Sequence, residues 1–517
     1  MQIILSIMVN GFYGLMLFST AALCLMNEAL AEELFSKAPW YQGSVEEGFA
    51  QAKKQNKDVF IYWGAVWCPP CNEIKTEIFS HEGFAGLMRD KIAIYLDGDS
   101  SEAQDYGETF KASGYPTLLL LTHDRKELFR IDHATNFQEF SQALVGASSS
   151  KLPIEQRINQ ALSGNPSKED WMSLAFFSWG DTGALPQEDF SKVKTLDALV
   201  KACKPLDDLA CTKLRMQLLA EVAREPKVEL ATEAFKKDMH KFLLSQWREL
   251  GAIRAHRSQL LYESDSIVAF IDAKATLQSR LVRQWLEAAQ RLANDKQQSV
   301  DVRLWANYPF LKLEKLSAAS AKGYKPSKAI KQRIEQAVDK ALLELQSKYE
   351  RHAVVSGAAY LLRLVEDHER AEKILLAELE STDTPWYYQS SLASLEADRN
   401  NEAAALNWAK KAKDSAVGHA TKIQWTVAYL SRLAKAKVFA KGEFEAVVRD
   451  YYALATRDND GFLGRNKYRA NSVAKVLKEL NGGAFAKAVA RKNESSCEKL
   501  SGENRSSCRE HFQSLRL

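Results

Sequence analysis

The sequence predicts an α/β domain near the N-terminus followed by a large all-α, helical-repeat-like body. Three observations carry that expectation. Between positions 44 and 145, helical three-and-four spacing of apolar residues alternates with short β-branched or aromatic runs. A small, polar stretch from Gly146 to Pro153 then interrupts the pattern. Beyond Leu206 only four prolines occur, at 226, 309, 326 and 385, and helix formers dominate stretches such as 328–349 and 402–413.

The elements follow in order. Val45, Phe49 and Ala52 recur as on an amphipathic helix over 44–57, and Val59-Phe60-Ile61-Tyr62-Trp63 is a buried strand. Ile74 and Ile78 mark a helix over 72–79, with a second short helix over 82–88 and a strand at Ile92-Ala93-Ile94-Tyr95-Leu96. A helix over 101–111 leads to strands at 117–121 and 128–131, joined by His123-Asp124-Arg125-Lys126, and a last helix spans 137–145. Helices and strands that alternate and then close in a hairpin make one α/β domain.

In the helical body, the segment from Asp367 is echoed 31 residues later from Asp398. The echo resembles the stacked hairpins of tetratricopeptide arrays, whose repeats run near about 34 residues, but their Trp, Gly and Tyr signature is incomplete. Two ordinary hairpins of an irregular bundle fit the same residues. The expected division is 1–31 as an export signal, 32–147 as the α/β domain, 148–153 as a linker and 154–517 as the helical body, with hairpin repeats around 354–430.

At 517 residues, with 46% hydrophobic and 26% charged side chains, the chain has the composition of a folded protein of about three units. Its 70 basic and 66 acidic residues are interspersed, so the net charge of +4 forms no basic stripe and nucleic acid is not an expected partner. An apolar run from Ile3 to Met26 ends in Ala29-Leu30-Ala31, the pattern of a secretory signal cleaved after Ala31. The expected location is periplasmic or secreted. The n-region lacks Lys and Arg, so an uncleaved membrane anchor is the alternative, and only then is a membrane partner expected. Leu23 before Cys24 argues against a lipid anchor. Apart from Cys24, the cysteines form three close pairs, Cys68/Cys71, Cys203/Cys211 and Cys497/Cys508, as suits an oxidising compartment.

The chemistry centres on Cys68-Pro69-Pro70-Cys71, directly after the strand at 59–63. A cysteine at the start of a helix meets the positive end of the helix dipole and unpaired N–H groups, which favour the thiolate and lower the pKa of Cys68. Cys71 lies about one turn later, close enough to close a disulfide. Pro70 costs little at a position where the helix hydrogen bond does not yet exist. Zinc would require two more ligands at suitable spacing, and the sequence offers no second CxxC and no paired-histidine motif, so no metal and no cofactor are expected beyond the cysteine pair itself.

Trp67-Cys68-Pro69-Pro70-Cys71, together with Gly114-Tyr115-Pro116-Thr117-Leu118, resembles the thioredoxin superfamily, in particular its exported members. The likeness covers residues 40–147. It implies a thioredoxin fold in which Cys68 attacks, Cys71 resolves, Pro116 is a cis proline opposite the pair, and Trp67, Tyr115 and Pro116 contact substrate, the backbone of Tyr115 pairing with the client chain. One position departs from the family: six residues before the first cysteine, where thioredoxins keep a buried acid, stands Tyr62. The proton acceptor for Cys71 is thereby unassigned, with water or Glu73 as alternatives.

Cys203/Cys211 and Cys497/Cys508 are expected to be structural disulfides that staple turns, a second redox relay being the alternative. Trp386-Tyr387-Tyr388 is an aromatic cluster suited to a core or to a partner surface. The expected function is therefore an exported thiol-disulfide oxidoreductase, reductase or isomerase in direction, with protein clients held by the helical body and an external redox partner that regenerates the pair. The rival is a protein-binding scaffold whose α/β domain is a docking module with a static disulfide.

Overall fold

The computed structural model describes residues 35, 37–100, 102–112, 114–131, 136–179, 191–205, 208–318, 323–436 and 441–517. The expected export signal, Cys24 included, lies outside them. Among the described residues no helix is long and apolar enough to cross a membrane.

A four-stranded sheet in the order β2-β1-β3-β4 organises the α/β domain. Its strands are β1 (Asp58–Gly64), β2 (Lys91–Asp97), β3 (Thr117–Leu121) and β4 (Glu127–Ile131). β1 pairs parallel with β2 from Asp58↔Lys91 to Gly64↔Asp97, and antiparallel with β3 from Val59↔Leu121 to Trp63↔Thr117. β3 and β4 form the closing hairpin. Every residue of β1 is buried because helices cover both faces, which is why its sequence is a continuous apolar run rather than an alternating one. Phe60 and Tyr62 face the core that contains Cys71, Ile78 and Phe140. Val59, Ile61 and Trp63 face the opposite core with Phe49, Tyr106 and Phe110.

The helix Val45–Gln55 begins with a capping box, Ser44 and Glu47 bonding reciprocally, and ends at Asn56 in the left-handed region. The helix after β1 starts at Pro69, earlier than the apolar spacing indicated, and runs to Ile74. Its continuation, Lys75–Phe79, is π-helical, with Ser80 N donating to Lys75 O at 3.0 Å.

The expected linker 148–153 is corrected by the helix Phe137–Ser150, which runs through its first half. The small residues there serve close packing. A Cβ on Gly146 would lie 2.8 Å from the backbone oxygen of Glu169, and the buried Arg157 donates to Ala147 O at 3.2 Å and Ser150 Oγ at 2.9 Å. Only Lys151-Leu152-Pro153 separates this helix from the next, Ile154–Ser163.

The rest of the chain is helical, with apolar clusters spanning 154–313, 300–395 and 393–515. Two hairpins, Lys348–Leu364 with His368–Leu379 and Pro385–Asp398 with Glu402–Ser415, repeat one local geometry. Their turns pass through Glu366 and Asn400, both at positive φ, and their second helices are capped by Asp367 and Asn401. The geometric period is thus 34 residues, from Asp367 to Asn401, and not the 31 of the sequence echo. Disulfides join Cys203 to Cys211 and Cys497 to Cys508, each linking the end of one helical element to the next helix.

The helical body does not trail behind the α/β domain. Trp386, Ala412, Ala416 and Trp425 belong to the same apolar cluster as Cys68 and Cys71. The helix Lys348–Leu364 packs on the cysteine helix, and Gly464–Glu479 packs on Ala103–Thr109.

Candidate active site

β1 delivers the chain to Ala65-Val66-Trp67, and Cys68 stands at the N-cap with extended backbone, so that Pro69 and Pro70 occupy the first helical positions where no N–H is needed. Asn72 N donates to Cys68 O at 3.1 Å, and the Asn72 amide donates to Cys68 O at 3.1 Å and Val66 O at 3.0 Å, which fixes the loop. Cys68 and Cys71 are free thiols. The Tyr115–Pro116 bond is cis, and Cys68 Sγ lies 3.7 Å from Tyr115 O. Cys68, Cys71, Trp67, Tyr115 and Pro116 thus meet at one end of the sheet.

Residues far along the chain complete and cover this site. Trp67 Nε1 donates to Thr421 Oγ1 at 2.8 Å, and the Trp67 ring stacks on Tyr387 at 6.0 Å and meets Trp425 edge-on at 6.1 Å. Of the aromatic cluster at 386–388, Trp386 and Tyr388 are core residues, and Tyr387 faces the site. The Arg465 guanidinium lies 4.0 Å from the centre of the Tyr115 ring. Cys68 is consequently only 4% exposed. Sequence reasoning missed Thr421, Trp425 and Arg465, because nothing local marks residues more than three hundred positions from the cysteines.

Burial pushes the Cys68 thiol well above its ordinary range, and its hydrogen bond to Cys71 raises it further, while the Cys71 N–H and Arg465 pull downward. Burial also pushes Cys71 up, but the hydrogen bond from Cys68, the Ala65 backbone, the charge of Lys75 and the Tyr62 hydroxyl together bring it below the usual cysteine range. The two thiols are thus pushed in opposite directions, Cys68 up and Cys71 down. That differs from the expectation for Cys68, because the helix start is sealed from water, and desolvation outweighs the dipole.

Glu73 stands in the wall of a cleft of about 760 Å³. Pro69, Pro70, Tyr115 and Pro116 of the α/β domain line this cleft together with Trp305, Tyr360 and Tyr387 of the helical body. Burial, then Asp301 and Glu77, hold the Glu73 carboxyl well above the ordinary range, and Arg257 opposes them. Its electrostatic neighbours are these groups rather than Cys71. Burial likewise raises Asp301 to about 7. Among the described residues no group of three or more His, Cys, Asp or Glu side chains could hold a metal ion.

Residues 39–122 match the thioredoxin-like family model. A thioredoxin from Thermus thermophilus, solved in solution, is similar at 22% identity over 22% of this chain and 88% of that one, with a TM-score of 0.21. No curated protein matches.

Proposed function

We propose, from the premise that the N-terminal domain belongs to the thioredoxin superfamily, that the chain is an exported thiol-disulfide oxidoreductase acting on protein disulfides. The observation that carries this reading is the pair of free thiols at a helix start, with Cys68 Sγ 3.7 Å from the carbonyl of the residue before cis-Pro116. Cys68 thiolate attacks a client disulfide, forming a mixed disulfide and releasing one client thiolate. Cys71 then attacks Cys68 Sγ, closes the intramolecular disulfide and frees the second client sulfur. Reductase or isomerase is the favoured direction, with an external donor that restores the dithiol. The cleft between the cysteine helix and the helical body is the route by which a client loop reaches Pro116. Two disulfides elsewhere in the chain support an oxidising location.

Insulin reduction by the mature protein and by Cys68→Ser tests this reading: turnover is expected only with Cys68 present. Cys71→Ala is expected to trap mixed disulfides with exported proteins, whose identities name the clients. One observation favours a second reading, a non-enzymatic scaffold: Cys68 is sealed beneath Trp67, Tyr387 and Arg465. Absence of thiol-dependent turnover in every redox buffer, with no trapped partner, would select the scaffold.

A further inference from the structure

The resolving cysteine of this fold sits beside Tyr62, which cannot serve as the acid does in the family it resembles. Another ionisable side chain reaches the same place from the cysteine helix itself. Lys75 follows Cys71 by four residues, a spacing that puts two side chains on one helix face with Cβ atoms about 5–6 Å apart. It also opens the π-helical turn Lys75–Phe79, an irregularity that recurs at functional sites.

Lys75 is 3% exposed, and lysine is almost never buried to that degree without a carboxylate. Among the described residues it makes no ion pair; its Nζ lies instead 5.1 Å from the ring centre of Phe35 and 5.2 Å from that of Tyr349. The groups that face it are Cys71 and Cys68 on its own helix, Asp97 at the end of β2, and Lys348 and His352 on the covering helix Lys348–Leu364. Tyr62 and Tyr95 complete the surroundings of Cys71. Burial, the largest influence, lowers the Lys75 amine; the two thiols and Asp97 oppose it, and Lys348 adds to it. A buried amine whose surroundings lower its pKa, one turn from a buried thiol, is placed as a base next to an acid.

We propose that the Lys75 amine takes the Cys71 proton when the mixed disulfide is resolved. This rests on the redox reading of Cys68 and Cys71 given above. In the step, the Cys71 S–H proton passes to Nζ, and the thiolate electron pair forms the bond to Cys68 Sγ. The Cys68–client S–S bond breaks, and the client sulfur leaves as a thiolate that takes a proton from the Lys75 ammonium or from water. The cysteine pair loses two electrons and the client disulfide gains them. When the transfer starts from a neutral thiol and a neutral amine it ends in an ion pair, so the pocket carries no net charge at either stage.

Stopped-flow reaction of the reduced full chain with dithiobis(nitrobenzoate) separates the two steps, because attack by Cys68 releases one nitrothiobenzoate and resolution by Cys71 releases another. Lys75→Met, which keeps an apolar stem, is expected to slow the second release about 100-fold and move its pH dependence upward, leaving the first release unchanged. Lys75→Arg retains the charge but not a titratable base, and is expected not to restore the rate. Equal second-release rates in wild type and Lys75→Met, or equal slowing of both releases in folded protein, would overturn the role of Lys75. Should Lys75→Met not fold, Lys75→Arg decides: a second release as fast as wild type overturns the proposal, and a slowed second release with the first unchanged supports it. Wild-type protein that never gives a second release, at any pH, refutes the redox reading itself.

Discussion

Asp99 caps a helix that belongs to the other half of the molecule: its carboxylate accepts from the Thr421 amide at 2.8 Å and from the Thr421 hydroxyl at 2.6 Å. The helix His419–Lys435 has no side-chain cap of its own, since it begins after Gly418 at a φ of 95°. A Cβ there would lie 2.2 Å from Asp99 Cγ, so glycine is what lets the carboxylate in. The same Thr421 hydroxyl accepts from Trp67, next to the first cysteine. Gln104 Oε1 and Glu108 Oε2 extend the contact by accepting from the amides of Arg465 at 3.0 Å and Gly464 at 2.9 Å.

Removing the Asp99 carboxylate should therefore loosen the cover over Cys68. Hydrogen bonds to a charged group contribute about 1.5–3 kcal/mol, so Asp99→Ala should raise the population of the open form about 10-fold or more. The expected outcome is faster alkylation of Cys68 by iodoacetamide in native buffer, read by mass spectrometry, with the unfolding midpoint little changed. An unchanged alkylation rate would mean that reagents reach Cys68 through the cleft without separation of the two halves.

Acid should destabilise the helical body. Burial, aided by Lys213, holds His256 at about 3, and burial, aided by Lys478, holds His511 at about 4. Both folded values lie below the unfolded value of about 6.5, so the unfolded chain takes up protons first as pH falls. Stability is complete above about pH 6.5 and declines from there toward the folded values, by on the order of 2 kcal/mol per histidine at pH 5. Urea titrations at pH 7 and pH 5 should show this loss, and His511→Gln should flatten part of the slope. A midpoint independent of pH over this range would mean that the histidines titrate alike in the folded and unfolded chain.

The parts legible in the sequence were those with local signals. β1 was visible because a strand buried on both faces is a plain apolar run, and the cysteine site because strand, Trp67 and CxxC are contiguous. The stretch 148–150 was misread because small residues signal a linker and a close helix contact alike; only Glu169, packed against Gly146, distinguishes the two. The repeat period came out short because the echo matched composition, whereas the fold repeats at the left-handed turn residues Glu366 and Asn400. Arg465 and Thr421 left no trace, since their neighbours in sequence have nothing to do with the site. Lys75 is one of 70 basic residues, and only its place one turn after Cys71 sets it apart.

The disulfide Cys497–Cys508 closes a separation of 11 residues between the turn Glu494–Lys499 and the last helix, Gly502–Ser514, and both sulfurs are buried in the C-terminal cluster. Closing a loop this short constrains the unfolded chain by roughly 2–3 kcal/mol. Cys497→Ala with Cys508→Ala should lower stability by about that amount and increase hydrogen exchange in the last helix. Insulin reduction should be unaffected if this pair is structural. Loss of turnover in a folded double variant would instead point to a relay between this pair and Cys68/Cys71.

Tyr62 offers the sharpest separation of chemistry from stability. Its hydroxyl is fully buried without a hydrogen-bond partner, and it is among the groups that lower the Cys71 thiol. The ring stacks on Tyr95 at 5.1 Å and packs against Phe79 at 4.6 Å, contacts that phenylalanine would keep. Deleting a buried hydroxyl that lacks such a partner costs little and relieves a desolvation penalty, so Tyr62→Phe should unfold at the wild-type denaturant concentration or slightly above it. The thiolate formed by Cys71 loses a donor, however, and a hydrogen bond to a charged group is worth about 1.5–3 kcal/mol, so resolution of the mixed disulfide should slow about 10-fold or more. Because hydroxyl and amine act on one sulfur, Tyr62→Phe combined with Lys75→Met should slow resolution by a factor different from the product of the two single effects. A resolution rate equal to wild type in Tyr62→Phe would leave the hydroxyl as packing alone.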